Sequence, residues 1–124
     1  PAIVQGLKPN TISTDLHTGS MNRGMKDLLN VMSKFLNIGL NLSEVVTATT
    51  WDAAKVIKRN DLGNLSVGSV ADLTILNLRT GQFGFVDTKD KKIKGDKKLE
   101  CELTIKDGKI VYDLNGISYK FWNE

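Results

Sequence analysis

The spacing of hydrophobic residues changes near Gly63, and this change limits the folds open to the chain. Before Gly63, apolar residues recur three and four positions apart, as they do on one face of an amphipathic helix. After Gly63, they alternate with polar residues or form short β-branched runs between turn residues. At 124 residues the chain has the size of one domain, so the pattern predicts an α/β chain in which helices precede strands.

The first half contains one predicted strand and one strongly amphipathic helix. Thr11–Asp15 alternates β-branched and small polar residues, which is typical of a short strand. A glycine- and asparagine-containing loop is predicted at Leu16–Gly24, and a helix is predicted from Met25 onward. The apolar stripe of this helix consists of Met25, Leu28, Leu29, Met32, Phe35 and Leu36.

Helix boundaries are predicted from residues that commonly occupy helix ends. Asn22 or Ser20 is suited to cap the start of the first helix, and Gly39 is suited to end it. Ser43 is predicted to cap a second helix. Poor helix formers around residues 47–51 predict a break, followed by a short helix over Asp52–Lys58.

The second half is predicted to form strands over Val70–Leu78, Gln82–Val86 and Leu99–Lys106. Asp107-Gly108 is a strong hairpin signal and is predicted to form a type I′ turn into a further strand, Lys109–Asp113. The C-terminal aromatic residues from Tyr119 onward are expected to pack over an edge of the sheet.

Cysteine and histidine are too few for several classes of protein. Cys101 is the single cysteine, so the chain has no internal disulfide, and with His17 as the single histidine a Cys/His zinc finger is excluded. Cys101 falls on the apolar face of its predicted strand, where it is expected to be a buried core thiol rather than a nucleophile.

The net charge of +3 comes from one segment, Asp87–Lys98, which contains six lysines and three aspartates. This segment lacks arginine and aromatic residues, so it predicts a solvated hairpin loop and no nucleic-acid partner. No apolar run approaches the ~18 residues needed to cross a bilayer, and no secretion signal is recognised. We therefore expect no membrane partner and a cytoplasmic protein.

Asp15 and His17 are the candidate site residues that spacing alone provides. They form an Asp-x-His pair at the end of the predicted strand, and carboxylate and imidazole are both accepted by zinc. A complete metal site needs three or four ligands, so the pair alone does not establish one. Phosphate-loop, dinucleotide-binding, zinc-protease and nucleophile-elbow motifs are absent from the sequence.

Four segments of the chain carry a resemblance to a known family, and they are residues 11–17, 33–40, 42–50 and 62–76. They include Ser-Thr-Asp at residues 13–15 and Ala-Asp-Leu at residues 71–73. In this order the segments resemble the C-terminal third of the amidohydrolase superfamily, closest to its dihydroorotase-like deacetylase branch. The Ser-Thr-Asp is similar to the end of that family's last barrel strand, and the Ala-Asp-Leu is similar to its following turn.

The resemblance implies a metal-dependent hydrolase built on a TIM-type barrel with a small β-sandwich. Residues 1–61 would contain the last strand and C-terminal helices of the barrel, and residues 62–124 the C-terminal strands of the sandwich. Asp15 corresponds to the aspartate that closes the eighth barrel strand, binds the metal and shuttles a proton. Asp72 is implied to be structural.

The other metal ligands of the family have no counterpart in this sequence. We therefore expect a divalent metal, zinc, only in a full-length parent that hydrolyses a C–N bond of a cyclic amide or N-acyl substrate, and we expect the isolated chain to be inactive and without metal. Its expected partners are the missing N-terminal barrel portion or a second copy through residues 11–40. The alternatives are a non-catalytic structural or interaction module derived from such an enzyme and a nucleic-acid-binding module.

Overall fold

The computed structural model describes residues 2–22, 24 and 26–123 and, within them, contains four helices followed by three strands. The predicted order of helices and strands is therefore confirmed. The longest helix has ten residues, and no helix in the described ranges is long and apolar enough to cross a bilayer. The elements are α1 (Thr18–Met21), α2 (Leu28–Asn37), α3 (Leu42–Thr49), α4 (Trp51–Val56), β1 (Leu73–Val86), β2 (Lys92–Lys106) and β3 (Lys109–Asp113).

The start of α2 is capped by Asp27, so the prediction of Asn22 or Ser20 as its cap is wrong. The Asp27 carboxylate accepts a hydrogen bond from the Asn30 backbone N–H at 2.6 Å, which satisfies one of the free donors of the first turn. The predicted end of the helix is confirmed, because Gly39 has a φ of +120° immediately after the last turn. Met25, the predicted first stripe residue, lies outside the described residues.

The cap of α3 is Asn41 rather than the predicted Ser43. The Asn41 side chain accepts from the Glu44 N–H at 2.9 Å, and the Glu44 carboxylate accepts from the Asn41 N–H at 2.8 Å. This reciprocal pair satisfies two backbone donors, so the helix begins two residues earlier than predicted. The predicted break is confirmed at Thr50, which separates α3 from α4.

The segment Thr11–Asp15 is not a strand, contrary to the prediction. Its backbone has no β pairing, and Ile12 instead donates its N–H to the carbonyl of Ala48 at the end of α3, at 3.0 Å. Alternating residue types favour extended backbone, but a strand also needs a neighbouring strand. The following loop is also less irregular than predicted, since it contains α1.

The strands form one antiparallel sheet in the order β1-β2-β3. The two predicted strands ending at Leu78 and Val86 form one strand, β1, with a register irregularity between Thr80 and Phe83. The lysine-rich segment is not a loop beyond Lys91, because β2 begins at Lys92, which pairs with Val86. The Asp107-Gly108 hairpin is confirmed, with φ values of 50° and 73°.

The core lies between α2, α3 and β2. The predicted stripe contributes Met32 and Leu36 to it, while Leu28, Leu29 and Phe35 are partly buried against it. Neighbouring helix and sheet residues therefore cover much of the apolar face of α2. The buried cluster consists of Ile12, Met32, Leu36, Leu40, Val45, Ala48 and Leu99.

Polar residues of α2 bind the part of β2 that β3 leaves unpaired. Ser33 is fully buried, and its Oγ accepts from the Leu99 N–H at 2.9 Å. One turn later, the Asn37 amide accepts from the Lys97 N–H at 3.2 Å and donates to the Lys97 carbonyl at 2.7 Å. Gly95 allows this approach, because a Cβ there would lie 2.4 Å from the Asn37 side chain. The helix thus satisfies strand groups that would otherwise lack partners.

Apolar residues near the C-terminal end of the sequence are more exposed than predicted. Cys101 is half-buried, with Sγ 3.3 Å from the Thr104 hydroxyl, because a register shift at the facing Leu76 interrupts the alternation of β2. Tyr119 and Trp122 are 77% and 99% exposed, so the predicted packing of the aromatic tail over a sheet edge is wrong.

Candidate active-site aspartate

Asp15 lies between the unpaired segment that begins at Thr11 and helix α1. Its backbone has a φ of +48°, in the left-handed region that aspartate tolerates better than most residues. The residue is exposed, and among residues 2–22, 24 and 26–123 no hydrogen bond or ion pair occupies its carboxylate. The side chain is therefore available to a ligand from outside these residues.

The backbone carbonyl of Asp15 is bound by two side chains. His17 Nδ1 lies 2.8 Å from this oxygen, and Ser20 Oγ lies 2.9 Å from it. A carbonyl oxygen only accepts hydrogen bonds, so the His17 contact requires the proton on Nδ1. Ser20 Oγ also accepts from the His17 backbone N–H at 3.0 Å. Asp15, His17 and Ser20 therefore form a closed set of hydrogen bonds, which we call the Asp15 clamp.

The loop that follows the Asp15 clamp is tied to the β1–β2 connection. Gly24 is buried there, and a Cβ at this position would lie 2.3 Å from the carbonyl oxygen of Val86. Lys34 on α2 donates to the Gly24 carbonyl at 2.6 Å. Burial lowers the pKa of Lys34, and the nearby Asp87 carboxylate partly opposes that shift. The sheet and α2 thus hold Gly24 in place.

Asp15 fits the donor chemistry of a divalent metal, but it does not complete a site. Carboxylate oxygen is an accepted ligand for zinc, which needs three or more protein ligands in its usual sites. No group of three His, Cys, Asp or Glu in the described part of the chain could hold a metal. His17, the other predicted candidate, directs Nδ1 at a carbonyl. Within the described residues, the Asp15 carboxylate therefore lacks the additional ligands that a zinc site needs.

Asp72 has a structural role, in agreement with the prediction. One of its oxygens accepts from the Asp107 N–H and the other from Lys106 Nζ, each at 2.7 Å. The Lys106 ammonium, followed by the Asp107 N–H, lowers the pKa of the Asp72 carboxyl. These bonds join the residue before β1 to the β2–β3 turn.

Ser20 is the site residue whose role sequence reasoning missed, since it was considered only as a helix cap. A serine in a glycine-containing loop gives no sign that it will be buried, and its burial depends on contacts made after folding. Ser20 is 7% exposed, whereas Asp15 and His17 are exposed.

Comparison with a family model identifies the family of this chain. The model of the amidohydrolase family matches residues 14–112, a range that includes Asp15 and the sheet. The chain belongs to the amidohydrolase family. The resemblance inferred from the sequence segments is therefore confirmed.

Two curated relatives resemble this amidohydrolase chain over only part of their own length. A deacetylase of Brucella anthropi is 47% identical over 77 residues, which are 62% of this chain and 19% of that protein. A deacetylase of Enterococcus faecalis is 27% identical over 113 residues, 90% of this chain and 30% of that protein. The present chain thus spans between a fifth and a third of these relatives.

Two crystal structures share the fold of the amidohydrolase chain. An adenine deaminase matches with a TM-score of 0.85 and 27% identity, over 91% of this chain and 31% of that one. A dihydroorotase matches with a TM-score of 0.81 and 34% identity, over 90% of this chain and 31% of that one. The helices and the sheet therefore have the arrangement found in part of these larger enzymes.

Proposed function

We propose that this chain is part of a metal-dependent amidohydrolase that hydrolyses a C–N bond of a cyclic amide or N-acyl substrate. The observation that carries this proposal is the unpartnered Asp15 carboxylate, which lies inside the range matched by the family model. Relatives described as deacetylases and a structural neighbour described as a dihydroorotase support this reaction class.

In the longer enzyme, we infer that residues 1–61 complete a TIM-type barrel and residues 62–124 contribute the last strands of a small β-sandwich. The segment Thr11–Asp15 has a strand-like composition, but it pairs with no strand among the described residues. Partners for it from another part of the longer chain would make it a barrel strand. Asp15 would then lie at its carboxyl end, where active sites of such barrels are built.

Asp15 is proposed to act as both ligand and proton carrier. A divalent metal such as zinc, held by Asp15 and by ligands from the rest of the enzyme, would supply Lewis-acid chemistry and lower the pKa of water in the site. The Asp15 carboxylate accepts a proton as water adds to the amide carbon, and then donates that proton to the leaving nitrogen. Both carboxylate oxygens are free for this work within the described structure.

The rest of the longer protein is the proposed partner of exposed apolar side chains on β1 and of an apolar groove beside this strand. Ile75 and Leu78 on β1 are 48% and 39% exposed. Beside β1, a mainly apolar groove of about 430 Å³ lies between α2, α3 and the segment from Asp61 to Leu65. Covering such surface is favourable, so when the other part is absent we expect two copies of the chain to associate instead.

The test is Asp15→Asn in the full-length enzyme. The amide keeps the shape of the side chain but cannot carry the proton, so we expect turnover to fall by about 10²–10⁴-fold with an unchanged unfolding temperature. Asp96→Asn is the matched control, because Asp96 is also an exposed aspartate whose carboxylate lacks a partner in the described chain, and it should retain wild-type activity.

Two results would contradict this assignment of Asp15. Activity of Asp15→Asn within tenfold of the wild type would reject its catalytic role and favour a non-catalytic module. Loss of activity together with a large fall in unfolding temperature would indicate a structural aspartate.

A further inference from the structure

We propose that His17 and Ser20 are positioning residues that direct the Asp15 carboxylate by holding the Asp15 backbone carbonyl. The proposal rests on the proposed role of Asp15. His17 and Ser20 would act at the same site as Asp15, but neither would bind the metal or carry the proton.

The conformation of Asp15 explains why positioning is needed. The left-handed φ of +48° is sparsely populated by residues other than glycine, and it persists only where neighbouring groups stabilise it. The backbone angles set the direction of the Cα–Cβ bond and hence of the carboxylate. A change in these angles would move the carboxylate away from its substrate even though the side chain itself is unaltered.

Ser20 is the anchored member of the Asp15 clamp. Ser20 is buried within α1, and its hydroxyl lies 2.9 Å from the Asp15 carbonyl and 3.0 Å from the His17 carbonyl. The same oxygen accepts from the His17 N–H. One buried hydroxyl thus connects the turn at Asp15 to the first turn of α1.

His17 holds the same carbonyl through its ring. With Nδ1 donating to Asp15, the ring lies over Gly19, where a Cβ would be 3.2 Å from Nε2 and 3.4 Å from Cδ2. A side chain at residue 19 would therefore press on the ring, and glycine leaves the space that the ring needs. This geometry favours a role for His17 that operates through Asp15.

The test compares two replacements of His17 in the full-length enzyme. His17→Leu removes the donor, whereas the amide Nδ2–H of His17→Asn can donate to the same carbonyl as Nδ1–H does. Removal of groups that orient a ligand typically costs 10–100-fold in metal affinity or activity. We expect this loss in kcat and in the zinc affinity measured with a competing chelator for His17→Leu, with little change in KM, and substantial recovery of both for His17→Asn.

Two further variants complete the experiment. Ser20→Ala is expected to lower kcat and zinc affinity in the same direction as His17→Leu. Thr18→Ala is the control from the same loop, because Thr18 is exposed and its hydroxyl makes no hydrogen bond in the described structure. If burial of Ser20 prevents Ser20→Ala from folding, the two variants of the exposed His17 still decide the question.

Three results separate the possible failures. Equal losses in His17→Leu and His17→Asn would show that the imidazole contacts substrate or metal directly, which overturns the positioning role. Full activity and zinc affinity in His17→Leu, with an inactive Asp15→Asn, would overturn this inference and leave the proposed function intact. An active Asp15→Asn would instead contradict the proposed function itself.

Discussion

Replacement of Ser33 by alanine should destabilise the chain, because it removes the partner of a buried backbone N–H on β2. The Ser33 Oγ accepts from the Leu99 N–H at 2.9 Å, and both residues are almost fully buried, at 0% and 3% exposure. Alanine has no acceptor, and water cannot easily reach the Leu99 N–H from outside. The variant therefore leaves a buried donor unsatisfied.

The expected change in the free energy of unfolding follows from three contributions. A buried, unsatisfied polar group costs about 1–3 kcal/mol. The Ser33 hydroxyl also donates to the Leu29 carbonyl at 2.6 Å, but this carbonyl keeps its helical partner, the N–H four residues later, so that loss adds little. The higher helix propensity of alanine offsets about 0.5 kcal/mol. We therefore expect Ser33→Ala to be less stable by about 0.5–2.5 kcal/mol.

Urea unfolding followed by circular dichroism measures this difference, and Ser43→Ala is the matched control. Ser43 is an exposed serine near the start of α3, whose cap is Asn41, so its replacement should change stability by less than about 0.5 kcal/mol. Exchange of the Leu99 amide proton should also accelerate in Ser33→Ala. Equal stability of the two variants, with unchanged Leu99 exchange, would refute the argument that α2 satisfies this part of β2.

Three other measurements test the structure. Lys106 lowers the pKa of Asp72, so the contribution of this carboxylate to stability is complete above about pH 4 and is lost as the pH falls through the lowered pKa. Asp72→Asn should therefore flatten the decline in unfolding temperature below pH 4, and an unchanged pH profile would contradict this. Gly24→Ala should lower the free energy of unfolding in urea by about 1–3 kcal/mol, because the added Cβ would collide with the Val86 carbonyl. Wild-type stability of this variant would show that Gly24 does not pack closely against Val86. Calorimetry of the 124-residue chain with zinc should detect no submicromolar site, since no three-ligand group exists in its described residues, and a tight one-to-one site involving Asp15 would disprove this.

The features that were predicted correctly depend on residues close together in the sequence. Gly39 ends α2 and Asp107-Gly108 forms a hairpin because the backbone preferences of these residues act within a few positions. The break between α3 and α4 has the same local origin. The predicted caps were wrong: Ser43 was predicted for α3, but Asn41 is also a good capping residue and its reciprocal bonds with Glu44 make it the cap.

The features that were predicted wrongly depend on which distant segment lies alongside. Thr11–Asp15 has a strand-like composition, but its Ile12 N–H bonds to the end of α3. The lysines after Lys91 look like a solvated loop, but pairing with the end of β1 makes them part of β2. Alternation and charge describe how a segment meets water, whereas a strand exists only when another strand supplies its hydrogen bonds.

The residues of the candidate site also differ in whether the sequence alone could suggest them. Asp15 could be proposed as a site residue from the sequence because it lies in a segment that resembles amidohydrolases, whereas His17 was considered only as the neighbour of Asp15 in an Asp-x-His pair and was given no role. The contribution of Ser20 could not be selected, because a serine becomes an anchor only when folding buries it against the Asp15 carbonyl. Reactive groups are a property of residue type, but the direction in which Asp15 points depends on hydrogen bonds that form when α1 and the preceding turn come together.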